Sequence, residues 1–125
     1  MSGNIIRDKS YEFSLRIVKM YKFLIKNKVE YVLAKQVLRS GTSIGANVEE
    51  ACSAQSRKDF IHKLSIAQKE AFETRYWLRL LRDSGEIKAE YANSMLNDCD
   101  ELISILTSII KTTKENTNIQ DDIKY

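Results

Sequence analysis

From Phe60 to Leu81 an apolar or small residue returns at intervals of 4, 3, 4, 3, 4 and 3: Phe60, Leu64, Ala67, Ala71, Thr74, Leu78 and Leu81. A strand repeats every two residues, so this row belongs to one side of an α-helix. A helix with such a seam is marginal alone and gains its stability by burying that side against other helices. The rest of the chain agrees with this constraint. It contains no proline and only four glycines in 125 residues, and these are the residues that most strongly interrupt helices.

Three more helices follow from the same period. Phe13, Ile17, Met20 and Leu24 are spaced 4, 3 and 4, with Val18, Tyr21 and Ile25 widening the stripe; Asn27-Lys28 is the expected break. Leu33, Val37, Ser40, Ile44, Asn47 and Ala51 mark a second helix. The heptad helix opens at Ser56, with Asp59 three residues on as a capping-box partner, and closes at Ser84-Gly85. The fourth carries Ala92, Leu96, Cys99, Ile103, Leu106 and Ile110, flanked by Tyr91, Met95, Leu102, Ile105 and Ile109. Short connections make successive helices antiparallel neighbours, so the expected fold is all-α, an antiparallel up-down-up-down four-helix bundle. We expect one domain over residues 1–117 and a flexible polar tail over 118–125. Ile61, Phe72, Tyr76, Trp77 and Leu80 cannot all face a single core, so part of this set is expected to meet another subunit.

Hydrophobic residues at 43 % and charged residues at 30 % fit a packed globular chain and not general disorder. No apolar run approaches the roughly 18 residues needed to span a bilayer. The opening "MSGNIIRDKSYEF" has no apolar core of signal-peptide length, and the expected location is the cytoplasm, with no membrane partner. Cys52 and Cys99 lack metal or redox spacing and read as small buried thiols.

The stretch "LRSGTSIGANVEEA", Leu38 to Ala51, invites comparison with a phosphate loop. Such a loop follows a strand and carries Lys and a hydroxyl residue straight after its second glycine. Here Ala46-Asn47 follows Gly45, and the helical spacing of Val37, Ile44 and Ala51 passes through without interruption. Packing is therefore favoured: Gly41 and Gly45 let a neighbouring backbone approach, while Ser40 and Asn47 lie on the seam, where Asn47 can set register or oligomer state. His62 is the only histidine, and Asp59-x-x-His62 is a single imperfect copy of a bundle metal motif. Neither a catalytic triad nor a metal site is expected. Glu70, Glu73 and Trp77 share a helix face; the two carboxylates could serve as acid and base, but pairing with Arg39 or Lys69 is the simpler reading.

Basic stripes are the stronger functional signal. Arg16, Lys19, Lys22 and Lys26 follow one another at 3, 3 and 4; Lys35 and Arg39 lie four apart; Arg75, Arg79 and Arg82 are spaced 4 and 3. Such stripes track a phosphate backbone by charge alone, although any helix bundle also keeps charge on its solvated faces. Residues 1–85 hold 16 Lys/Arg against 9 Asp/Glu, and residues 86–125 hold 4 against 8. That asymmetry suits a polyanionic partner, or equally a meeting of basic and acidic faces between subunits.

The segments "VLRSGTSIGANVEEA" and "DFIHKLSIAQKEAFETRYWLRLLRDSGEI" resemble the bacterial four-helix-bundle family encoded in intervening sequences of 23S rRNA genes. The likeness lies in Arg39-Ser40, Ser43-Ile44, Ala46-Asn47, Glu50, Phe60, Lys69-Glu70, Glu73-Thr74 and Tyr76-Trp77-Leu78. The chain departs at Gly45, where the family commonly has Pro, and near Ala51, where it commonly has Gly. The resemblance implies a homopentameric ring. It also implies kinship with the accessory variability determinant of diversity-generating retroelements, a basic pentamer that binds nucleic acid and a reverse transcriptase. It carries no catalytic residue and no cofactor. The expectation is a non-enzymatic oligomer that binds structured RNA or DNA through Arg16, Lys19, Lys22, Lys26, Lys35, Arg39, Arg75 and Arg79. Ser40, Gly41, Ile44, Gly45, Asn47, Glu50, Glu70, Glu73, Tyr76 and Trp77 are assigned to packing and assembly. The alternative is a protein-interaction scaffold without a nucleic-acid role.

Overall fold

The computed structural model describes residues 2–28 and 31–124, with side chains over 5–28 and 31–116. The described residues form four α-helices and no strand: α1 (Ser2–Lys26), α2 (Tyr31–Cys52), α3 (Arg57–Asp83) and α4 (Ala89–Lys124). The backbone of α4 is helical past residue 117, and the side chains of the tail expected over 118–125 fall outside the described residues.

The helix ends follow local chemistry. Asn27 and Lys28 close α1 by donating their amides to Phe23 and Ile25, with Lys28 in the left-handed region at φ 59°. Ser56 caps α3: extended at φ −150°, it accepts from the Asp59 amide at 3.0 Å, which satisfies one of the amides a helix start leaves without a partner. At the other end Gly85 turns left-handed at φ 79°. Gly85 and Glu86 then donate to the Arg82 and Leu81 carbonyls, the paired bonds of a Schellman closure.

Side-chain contacts link neighbouring helices along their length. Arg7 meets Glu49, Gly45 lies against Ser10 and Ser14, and Gly41 lies against Ile17. Along α2 and α3, Glu50 meets Lys63 and Ser40 meets Thr74. Gln68 meets Thr107 and Arg82 meets Asn93 between α3 and α4. Lys9 meets Glu101 and Arg16 meets Ser94 between α1 and α4.

The heptad row of α3 is buried from Leu64 through Leu81, as its spacing predicts. It packs with Phe13, Ile17, Met20 and Leu24 of α1 and with Met95, Cys99, Leu102 and Leu106 of α4. Two rows are corrected. In α2 the fully buried positions include Ala34 and Val48, while Leu33 and Asn47 are only half-buried. In α4 Leu102 takes the core position expected for Ile103. Both shifts have one cause: an apolar stripe three residues wide leaves the choice of its centre to the facing helix.

Candidate nucleic-acid interface

The stretch from Leu38 to Ala51 is helical throughout, and its two glycines face α1. A β-carbon on Gly41 would sit 2.7 Å from Ile17 Cδ1, and one on Gly45 would sit 3.2 Å from the Ser10 carbonyl oxygen. Close helix approach, not phosphate binding, is what these glycines serve. Ile44 is buried beside them. Asn47 is corrected: it lies off the buried row, and its Nδ2 donates to the Ser43 carbonyl of its own helix at 2.8 Å.

The α3-facing side of the same stretch is polar. The Ser40 and Thr74 hydroxyls are fully buried and 3.0 Å apart, and Thr74 Oγ1 donates to the Glu70 carbonyl at 2.7 Å. A hydroxyl has one proton to give, so Ser40 donates to Thr74. At the rim Arg39 pairs with Glu70 at 3.3 Å and with Glu73, and Trp77 Nε1 donates to Glu73 at 3.1 Å. Both carboxylates of this face are thus engaged in pairing, as the simpler reading expected. Glu50 pairs with Lys63 at 2.9 Å and raises the proton affinity of that lysine. The polar seam partner Thr74 was visible in the sequence only as a hydroxyl in an apolar row; that Ser40 breaks the α2 row in the same way was the available signal.

The eight cations assigned to a nucleic-acid face do not form one surface. Arg16 pairs with Asp98, reaches Ser94 Oγ at 3.1 Å and lies 5.8 Å from the Tyr91 ring centroid, all on α4. Arg39 is held by Glu70 and Glu73, and Arg75 by Asp100 at 2.8 Å. These three form ion pairs across helix seams, as the reading of Glu70 and Glu73 had allowed for Arg39. The reason for Arg16 is geometric: two successive steps of three residues turn a helix back by roughly 120°, so Arg16 and Lys22 cannot share a face. Lys19, Lys22 and Lys26 are exposed and make no ion pair among the described residues. Lys35 is exposed with its ammonium 5.1 Å from the Tyr31 ring centroid. Arg79 lies on the outer side of α3 with Tyr76, Leu80 and Asp83. The Asp83 carboxyl is held below its ordinary range by its hydrogen bond from Arg82, with Arg79 adding to the effect.

Part of the charge asymmetry is met within the chain: Asp98, Asp100 and Glu101 of α4 bind Arg16, Arg75 and Lys9. Lys19, Lys22 and Lys26 of α1 are among the cations that make no ion pair among the described residues.

On α3, Phe72, Tyr76 and Leu80 form an exposed row at spacing four, with Phe72 and Tyr76 54 % and 55 % accessible. Trp77 is half-buried and packs edge-on to Tyr76, ring centroids 5.1 Å apart. Cys99 is buried, its Sγ 3.2 Å from the Ala71 carbonyl, and burial pushes its thiol up to about 12. Cys52 is corrected to an exposed thiol at the C-terminal end of α2. His62 is exposed. Among the described residues no three His, Cys, Asp or Glu side chains are grouped to hold a metal ion, and no helix is long and apolar enough to cross a membrane.

This arrangement defines a class: a small all-α chain of four helices whose exposed surfaces include a lysine strip and an apolar row. The chain belongs to the 23S rRNA-intervening sequence protein family, whose model matches residues 3–108. It is similar to a protein of unknown function from the S23 ribosomal protein family of Bacteroides thetaiotaomicron VPI-5482, known from a crystal structure at 1.70 Å resolution. Identity is 56 % over 89 % of this chain and 99 % of that one, with a TM-score of 0.86. No curated protein matches the chain.

Proposed function

We propose that the protein is a non-enzymatic, up-down-up-down helical bundle that assembles with copies of itself in the cytoplasm and binds structured RNA or DNA. The observation that carries the binding is the lysine strip of α1: Lys19, Lys22 and Lys26 are exposed, while Arg16, Arg39 and Arg75 are occupied by carboxylates. Cations without an internal partner are the ones able to displace counterions from a phosphate chain. The exposed row Phe72, Tyr76 and Leu80 supports self-assembly, because contiguous exposed apolar rows mark contact surfaces. The resemblance supplies the number five for that assembly.

The test is binding of the purified protein to structured RNA and duplex DNA over a salt series. A linear fall of log affinity with log salt counts the phosphates contacted. Lys19→Glu with Lys22→Glu weakens binding and shallows the slope, with stability changed by no more than about 0.5 kcal/mol, as at other exposed sites. Wild-type affinity in that variant rules out this face. The same apolar row also favours a second reading, a scaffold for another protein. It gains support if light scattering gives an oligomer that binds no nucleic acid even at low salt.

A further inference from the structure

We infer that the nucleic acid is engaged through unpaired, unstacked nucleotides at the end of the molecule where α1 passes into α2. This rests on the nucleic-acid reading above and specifies its ligand. From Phe13 to Val48 the chain holds seven Lys/Arg against a single carboxylate, Glu30. The structure places one of these cations, Lys35, beside an aromatic ring, with two more on α1 at similar height. With Arg7 against Glu49 and Ile17 against Gly41, the antiparallel register carries Lys22 to about the level of Lys35, and Lys26 to about the level of Tyr31. Tyr31 is 56 % accessible, and the Lys35 ammonium lies 5.1 Å from its ring centroid.

An exposed aromatic ring, with lysines nearby that make no ion pair among the described residues, offers two interactions at once. The lysines take phosphates, and the ring takes the face of a base. Inside a duplex that face is already covered by neighbouring bases, so the ring adds nothing there. In a single strand, a loop or a bulge the face is open. A membrane surface fits less well, because interfacial helices present a broad continuous apolar face. Here the exposed apolar side chains Phe23, Ile25, Tyr31 and Val32 are interleaved with Lys22, Lys26 and Lys35.

The experiment compares a labelled oligouridylate of about 20 nucleotides, long enough for one binding site, with an RNA duplex of matched length. Wild-type protein is expected to prefer the single strand. Tyr31→Ala should lower single-strand affinity about 10-fold, the usual scale for losing one stacked base, and leave duplex affinity unchanged. Tyr31→Phe, which keeps the ring, should bind as wild type. Lys22→Glu with Lys26→Glu should weaken both ligands. Unchanged single-strand affinity in Tyr31→Ala, with binding still lost in the lysine variant, overturns stacking and leaves the phosphate reading intact. Absence of binding to either RNA at low salt removes both readings together. Binding only to phosphatidylserine vesicles overturns the inference in favour of a membrane surface. Circular dichroism and melting of Tyr31→Ala should match wild type, since the side chain lies at the exposed first position of α2.

Discussion

Helix α2 meets its two neighbours in opposite ways. Toward α1 it offers absence: Gly41 and Gly45 remove side chains so that Ile17, Ser10 and Ser14 can close in. Toward α3 it offers polar groups: a buried hydroxyl pair, Ser40 and Thr74, and at the rim Arg39 with Glu70, Glu73 and Trp77. Apart from the exposed Arg7–Glu49 pair near its end, the first seam is held by shape and dispersion, which act at short range and tolerate no added atom. The second is held by directional bonds whose value depends on both partners being present. One stretch of sequence, whose adjacent residues Ser40 and Gly41 face different neighbours, thus encodes two kinds of interface.

The two seams should fail differently, and the largest effect belongs to the shape seam. Gly41→Ala puts a methyl 2.7 Å from Ile17 Cδ1 and Cγ1 and 2.9 Å from Cγ2. Ile17 is fully buried and β-branched, so it has essentially one helical rotamer and cannot swing aside. Overpacking of this kind costs about 1–3 kcal/mol, even against the roughly 1 kcal/mol that alanine gains over glycine in a helix. Chemical denaturation should show it as a lower midpoint with unchanged slope. In an Ile17→Ala background the clash is gone, and Gly41→Ala should become neutral or stabilising. Additive costs would mean the glycine is not there for Ile17. Gly45→Ala should cost less than Gly41→Ala, since its contacts are looser: the Ser14 hydroxyl at 3.0 Å can rotate, and the Ser10 carbonyl oxygen lies at 3.2 Å rather than 2.7 Å.

The hydroxyl seam should show the reverse pattern, non-additivity from pairing instead of from crowding. Thr74→Val removes the acceptor of the Ser40 hydroxyl and costs about 1–2 kcal/mol, because a buried donor is left to find its own backbone. Ser40→Ala costs less, about 1 kcal/mol or below, since Thr74 still donates to the Glu70 carbonyl. The double variant should be no less stable than Thr74→Val alone. Thermal melts of the four proteins close this cycle, and a sum of the two single costs would sink the pairing.

How much of this was legible in the sequence differs between elements for physical reasons. Period and caps are local, so the heptad row of α3, the Ser56 cap and the Gly85 closure could be read directly. The side of a wide stripe that faces inward is decided by the neighbour, which is why Val48 and not Asn47 proved buried in α2. The glycines could be assigned to close approach because no other use of two helical glycines fitted. Apart from Arg39 with Glu70 and Glu73, which the sequence did suggest, the ion pairs between helices were the least legible. Arg16 and Asp98 are 82 residues apart, and nothing within a helix's own spacing marks one as the partner of the other. Spacing on one helix finds a stripe; only the fold tells which of its cations are already occupied. The candidate interface therefore shrank to the side chains that no neighbouring helix could reach.

The smallest effect lies at the rim of the polar seam, and it separates a solvated ion pair from a buried bond. Arg39 is half-exposed, with Glu70 and Glu73 20 % and 38 % accessible. Arg39→Gln should therefore cost no more than about 1 kcal/mol, and less in high salt, because exposed pairs gain little and are screened. Glu73 also accepts from Trp77 Nε1, and Trp77 is the only tryptophan, so its fluorescence reports this one corner. Glu73→Gln keeps an acceptor for the indole and removes the charge facing Arg39. It should leave the Trp77 emission nearly unmoved while reproducing the small, salt-sensitive loss of Arg39→Gln. Glu73→Leu removes both and should shift the emission as well. If salt changes neither variant, the rim is held by packing of the Arg39 stem and not by charge, and the contrast with the glycine seam narrows to the single buried pair of Ser40 and Thr74.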